Sequence, residues 1–294
     1  MNTSQQITIQ PLSVHIGAQI GGVNLAEPLT ADQVAAIRGA ILEWRVVFFR
    51  DQSLDHQQHI DFARQFGETT SGHVVFGGDE TYPEIYSIAK ERTANRNRNQ
   101  ALLRPWSGWH TDITAAINPP WGSILRGDVV PPYGGDTQWT NLAAAYTSLS
   151  PALQQFVAGL RAEHRLAQGD HVLCSIHPLV RVHPETGEPV LYVSPGFIKS
   201  IKGLKSHESQ KLLELLWEQA IRPEYTVRFK WEPGSIAFWD NRSTAHLAPS
   251  DIFDSDFERQ FYRVTLQGDV PVGVDGVQSE AVAGDPIGAV MRTG

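Results

Sequence analysis

A single cysteine, Cys174, stands among 294 residues, so no disulfide can close within the chain. That scarcity points to a reducing, cytoplasmic setting. Cys174 has no partner motif around it and reads as a packing residue rather than a nucleophile. Cations are also short: 24 Lys and Arg face 32 Asp and Glu, a net charge of -8. The basic face that nucleic acid demands is therefore not expected, though an acidic protein can still enclose a basic pocket for an anion. No apolar run approaches the roughly 18 residues that span a bilayer, so no membrane partner is expected. The start, Met1-Asn-Thr-Ser-Gln-Gln-Ile, lacks the basic and apolar regions of a signal peptide. Repeats and linkers are missing as well, and the expectation is one domain over residues 1–294.

What is present is a globular composition, 41% hydrophobic and 19% charged. Residues 7–24 alternate as short strands broken by glycine. Thr30-Ala-Asp-Gln33 spells a capping box ahead of apolar positions Val34, Ile37, Ile41 and Leu42. Val46-Val-Phe-Phe49 reads as a buried strand, and Asp55 with Gln58 opens a second helix. Residues 89–106 are polar, basic and aperiodic, a mobile surface loop that also has the position of a lid. From Ser123 onward the pattern is mainly β. A helix begins at Ser150-Pro151, a hairpin spans 180–194 around Pro184-Glu-Thr-Gly187, and a helix covers Ser206 to Ile221. Strands follow at 225–231, 235–239 and 260–266. The tail after 270, rich in Gly, Val and Pro, is expected to pack loosely or to meet another subunit. Many short strands with flanking helices suit a mainly β, α+β fold with a jelly-roll (double-stranded β-helix) core.

The stretch Gly108-Trp-His110-Thr-Asp112 carries the chemistry. On a strand, His110 and Asp112 point to one face and converge on one ion. A second histidine, for which His246 is the candidate, completes a 2-His-1-carboxylate set with three positions left open, typical of non-haem Fe(II) oxygenases. His59-Ile60-Asp61 repeats the letters on a helix, where residues two apart diverge by about 200°. His59 and Asp61 therefore read as helix-surface residues. His183-Pro-Glu185 is better explained as a turn than as a metal pair.

Trp109-His110-Thr-Asp112, Gly134-Gly-Asp-Thr137-Gln-Trp139, Trp239-Asp-Asn-Arg242 with His246, and Arg259-Gln-Phe-Tyr-Arg263 together resemble the taurine dioxygenase/TfdA family. These are Fe(II)- and 2-oxoglutarate-dependent dioxygenases. The resemblance runs from Ile16-Gly-Ala-Gln-Ile-Gly-Gly-Val23 to Leu266-Gln-Gly-Asp-Val-Pro271. It implies that His110, Asp112 and His246 hold iron, and that Thr137 and Arg259 hold the 2-oxoglutarate cosubstrate. Arginine supplies the fork that a remote carboxylate needs. Arg263, four positions on and on the same strand face, matches the residue that binds the substrate's anionic group. His73 and Phe76 resemble a substrate-pocket pair after a one-residue shift, and Phe197 is a candidate pocket wall.

The chemistry implied is hydroxylation of an unactivated C–H of a small anionic substrate with O2, yielding CO2 and succinate. Tailoring of a larger natural-product acid is the alternative substrate reading. A non-catalytic or Zn-dependent jelly-roll binding protein or hydrolase is the alternative class. A homo-oligomer, dimer or tetramer, is expected. Trp106 falls where taurine dioxygenase has a small polar substrate contact, and Ala115 replaces an aromatic. The chain between Glu163-His164 and His177-Pro178 is short, which removes a lid segment and makes taurine itself a poor candidate. The tail Gly268-Asp-Val-Pro-Val-Gly-Val-Asp-Gly276 looks like that of alkylsulfatase-type members.

Overall fold

A computed structural model describes residues 6–90 and 104–290. In chain order the strands are β1 (Thr8–Pro11), β2 (Ala18–Gly21), β3 (Val46–Phe49), β4 (Tyr86–Ala89), β5 (Gly122–Val129) and β6 (Thr137–Asn141). Next come β7 (Arg161–Gln168), β8 (His171–Pro178), β9 (Val180–Val182), β10 (Pro189–Leu191) and β11 (Ile198–Ile201). The last are β12 (Thr226–Phe229), β13 (Ile236–Asp240), β14 (Thr244–Leu247), β15 (Gln260–Leu266) and β16 (Glu280–Ala283). A major sheet orders β1-β2-β3-β13-β5-β15-β4, and a minor sheet orders β12-β6-β14. The two face each other as a jelly-roll.

The period of two along each strand decides what lies inside. Val46, Phe48, Leu125, Ala237, Trp239 and Phe261 of the major sheet pack with Trp139 and Phe229 of the minor sheet. The intervening Val47, Phe49, Ile124, Ile236, Phe238, Val264 and Leu266 pack on the opposite face, beneath the helices Ala31–Trp44 and His56–Arg64. Both helices open with the capping boxes that the sequence spells, at Thr30/Gln33 and Asp55/Gln58. Burial on both faces is why Val46–Phe49 is apolar without interruption. The same parity carries Arg259 and Arg263 to the interior with Phe261, and both arginines are buried.

Two of these expectations change, and a third lies outside the described residues. His59 is fully buried, not a surface residue, because the helix lays His59, Ile60, Phe62 and Ala63 on the sheet while Asp61 faces outward. The expected lid at 89–106 falls largely on residues 91–103, outside the described residues. The tail is not loose. β16 pairs with β8, Asn118 Nδ2 donates to the Ile287 carbonyl at 2.9 Å and its Oδ1 accepts from the Ile287 amide at 2.8 Å, and Val290 N donates to Thr69 O.

The short stretch between Glu163 and His177 is a β7–β8 hairpin closed at Gln168↔His171, with Gly169 at φ +57 in its turn. The sheet it belongs to orders β11-β7-β8-β16. No helix among the described residues is long and apolar enough to cross a membrane.

Candidate active site

The centre of the site is built on β14. Two backbone bonds, His110 N to His246 O at 2.9 Å and His246 N to His110 O at 2.7 Å, set the two histidines side by side. Their ring centroids are 4.2 Å apart. The expected strand at His110 is reduced to this one bridge. Asp112 already lies in a turn, with Ile113 behind it at φ +48, so the turn rather than strand parity aims the carboxylate. His110 Nε2 and His246 Nε2 are each 4.0 Å from Asp112 Oδ1. Ligand atoms of the three residues lie within 4.8 Å of one another, and they form the one metal-capable His/Cys/Asp/Glu group among the described residues.

Neighbours prepare each donor. His110 Nδ1 donates to the Gly108 carbonyl at 2.9 Å, which leaves Nε2 with its lone pair toward Asp112. Burial pushes His246 down to about 3, so its ring is neutral at neutral pH. Burial by itself would raise the Asp112 carboxyl, but Arg263 foremost holds it well below the usual carboxylate range. Asp112 Oδ2 accepts from Ser123 Oγ at 2.6 Å and Oδ1 from Arg263 Nη1 at 2.5 Å. Ser123 accepts from Asn241 Nδ2 at 2.8 Å, and Asn241 Oδ1 from Trp239 Nε1 at 2.9 Å.

The Trp239-Asp-Asn-Arg242 motif therefore acts in two directions. Trp239 and Asn241 steady Ser123 and through it Asp112. Asp240 and Arg242 lock the turn into β14, with Asp240 accepting from Arg242 Nη2 at 2.6 Å and from His183 Nε2 at 2.9 Å. That second bond is the role of the His183-Pro-Glu185 turn, whose Glu185 pairs with Arg242 at 2.6 Å.

Arg259 lies against the Gly134-Gly135 turn, its Nε donating to the Gly135 carbonyl at 3.2 Å and its guanidinium 3.9 Å from the Phe261 ring centre. Gly135 sits at φ +65, and a Cβ there would come within 3.1 Å of Arg259 Cδ and Nε, so the approach requires glycine. The nearby carboxylates Asp136 and Asp251 are both engaged by Arg228, at 2.7 and 3.3 Å. Among the described residues no carboxylate lies within ion-pair distance of Arg259. Burial consequently pushes its guanidinium down to about 10. Thr137, buried at the start of β6, accepts from Trp231 Nε1 at 3.0 Å and keeps its hydroxyl hydrogen for another acceptor.

The outer residues divide. Arg263 pairs across β15–β4 with Tyr86, and its guanidinium lies 5.3 Å from that ring. His73 and Phe76 join the same group, their ring centroids 5.0 and 6.5 Å from Tyr86. Tyr86 was not singled out from sequence, because only the strand pairing puts it beside Arg263. Gly196 was also missed: a Cβ there would stand 3.1 Å from His110 Cβ, and Ser194 Oγ accepts the Thr111 amide at 3.0 Å. Phe197, half-buried, sits in this loop. Trp106 belongs to the hydrophobic core, packed on Trp217 with ring centroids 5.6 Å apart.

A jelly-roll presenting two histidines, one carboxylate and two buried arginines to its interior defines the 2-His-1-carboxylate class of metal oxygenases. The family model described as "Taurine catabolism dioxygenase TauD, TfdA family" matches residues 8–265, and the chain belongs to that family. It is 35% identical over 301 residues to an alkylsulfatase of Acinetobacter baylyi, covering 95% of this chain and 90% of that one. It is 38% identical over 293 residues to an alpha-ketoglutarate-dependent sulfate ester dioxygenase of Pseudomonas putida, covering 92% and 93%. A crystal structure of a taurine dioxygenase from Burkholderia xenovorans superposes with a TM-score of 0.89 at 64% identity, over 95% of this chain and 96% of that one. The protein is an alpha-ketoglutarate-dependent dioxygenase, which sets aside the non-catalytic and hydrolytic alternatives. The family implies 2-oxoglutarate and iron, and the triad's donor set suits such a metal.

Proposed function

We propose that this dioxygenase holds Fe(II) on His110, Asp112 and His246, holds 2-oxoglutarate on Arg259 and Thr137, and oxidises small sulfate esters. Arg263 takes the substrate anion, and His73, Phe76 and Phe197 wall the pocket. Trp106 is left to the core. The observation that carries the reading is the pair of interior guanidiniums four residues apart. Arg259 is buried with no carboxylate among the described residues, an arrangement that invites a carboxylate from a small molecule. Arg263 stands on the metal-binding carboxylate itself, beside the place where the reacting carbon must lie. Two permanent cations thus serve two anions, cosubstrate and substrate.

The bound metal with 2-oxoglutarate and O2 supplies the oxidising power. The protein's part is to fix the anion at Arg263, so that the carbon bearing it faces the triad, and to exclude water through the aromatic walls. Hydroxylation of a carbon that bears sulfate gives a product that collapses to an aldehyde or ketone and hydrogen sulfate. Sulfate esters are favoured among the small anions because the alkylsulfatase and the sulfate ester dioxygenase share 35% and 38% of their residues with this chain.

The test is a succinate-release screen over alkyl sulfates, sulfonates, aryloxyalkanoates and terpenoid acids, with the carbonyl product and free sulfate measured together. Alkyl sulfates are expected to give the fastest turnover; preference for a carboxylate substrate would reject the sulfate assignment. Arg259→Ala is expected to raise the KM for 2-oxoglutarate steeply, since a buried carboxylate would lose its charged partner, a loss of about 2–5 kcal/mol. The KM for the alkyl sulfate should move less. Arg263→Ala should give the reverse order, and interchange of the two patterns would show that the arginines have each other's roles.

A further inference from the structure

Behind Asp112 the backbone is strained and clamped. Ile113 holds φ +48, a left-handed conformation that is an outlier for a β-branched residue and persists only where the surroundings impose it. The residues after it bury three successive carbonyls, each met by a side chain of β8. Ser175 Oγ donates to Ala115 O at 3.0 Å. His177 Nε2 lies 2.8 Å from Thr114 O and 3.1 Å from Ala116 O. Carbonyls only accept, so Nε2 carries the proton. His177 Nδ1 lies 2.7 Å from Ser279 Oγ. Ser279 belongs to the tail and is itself tied to the Pro271 carbonyl, which accepts from its amide at 2.9 Å and from its hydroxyl at 2.8 Å. Ser175 and His177 are both buried and two residues apart on one strand, so one face of β8 addresses the whole turn.

We propose that Ser175 and His177 are positioning residues that hold Ile113 left-handed and so aim the Asp112 carboxylate at the two histidines. Asp112 is the triad member presented by a turn rather than by the bridge at β14, so its direction depends on what restrains the peptide next to it. The C-terminal tail enters the metal site by this route: Ser279 fixes His177, and β16 holds β8 in place. The inference rests on the metal reading of the triad.

The test titrates the purified chain with Fe(II) anaerobically in the presence of 2-oxoglutarate, following the metal-to-ligand charge-transfer band, with thermal midpoints recorded in parallel. His177→Ala is expected to weaken metal binding about tenfold, in the range for removal of groups that orient ligands. His177→Gln, whose amide can donate to both carbonyls, should recover most of the loss. Ile113→Gly placed in the His177→Ala chain should also restore affinity, because glycine adopts φ +48 without the clamp.

Ser175→Ala removes one bond to the turn and is expected to weaken the metal less; it carries the test if His177→Ala does not fold. Folded variants that bind Fe(II) like the wild type, even at a lower thermal midpoint, would overturn the proposal. So would failure of Ile113→Gly to restore affinity. A wild-type chain that binds no Fe(II) would overturn the triad reading as well, and the two failures are thereby told apart.

Discussion

Asp112→Ala is expected to abolish substrate-dependent succinate formation and to lower the stability of the metal-free protein in the same stroke. The loss of activity follows from the donor set: two histidines remain, and the carboxylate whose Oδ1 stands 4.0 Å from both Nε2 atoms is gone. The loss of stability comes from Arg263. Its Nη1 rests on Asp112 Oδ1 at 2.5 Å with both side chains almost wholly buried, and its Nε has no partner among the described residues. Removing one member of a buried pair leaves an uncompensated charge, at a cost of about 3–5 kcal/mol.

A second substitution separates the two effects. Asp112→Ala combined with Arg263→Met removes both charges and is expected to regain most of the stability while remaining inactive. Denaturant unfolding of the metal-free proteins and a succinate assay measure the two quantities. Activity retained by Asp112→Ala, or stability unmoved by it, would disconnect Asp112 from the metal or from Arg263 respectively.

Acid is expected to unfold the protein well above the pH at which carboxylates titrate. His59 is pushed down to about 3 and His177 to about 4, burial being the first cause in both. His164 is lowered well below its usual value by burial and then by His177. In the unfolded chain these rings titrate near 6.5. Each therefore binds a proton on unfolding between its folded value and about 6.5. The stability it contributes is complete above pH 6.5 and is lost as pH falls toward the folded values.

At pH 5 His59 and His177 each favour the unfolded chain by about 2 kcal/mol, a substantial part of the whole stability of many domains, and His164 acts in the same direction. The depressed carboxyls of Asp112 and Asp240 act in the same direction but below the usual carboxylate range, so they add nothing at pH 5. Denaturant midpoints between pH 8 and 5 test this. His59→Leu should lower the slope over that window, and a slope untouched by the substitution would mean that His59 is not buried in neutral form.

Local signals in the sequence were sufficient for the elements and for the first ring of chemistry. The capping boxes at Thr30 and Asp55 are satisfied within four residues, so tertiary context has little to add. The hairpin β9–β10 closes around its proline-glycine turn as its residues indicate. His110, Asp112 and His246 were legible because metal chemistry accepts few residue types and these occur in characteristic company. Arg259 and Arg263 were placed inside by parity, which is a property of one strand.

Errors arose where one strand or helix was asked to speak for its neighbours. His59 was assigned to the surface because the helix was read without the sheet beneath it. The tail was read as loose because its hydrogen bonds run to β8, Asn118 and Thr69, more than a hundred residues away. Tyr86 and Gly196 carried no signal at all, since a tyrosine and a glycine gain meaning only from Arg263 and His110 beside them.

The sequence alone determined the reaction class, because Trp109-His110-Thr-Asp112, His246 and Arg259-Gln-Phe-Tyr-Arg263 stand in the order and company that the family shares. Only the tertiary structure decided how those ligands are aimed. The Asp112–Arg263 pair, the Ser123–Asn241 support and the His177 clamp join residues separated by 61 or more positions, or by 118 and 151. Contacts of that kind exist only once the sheets have closed.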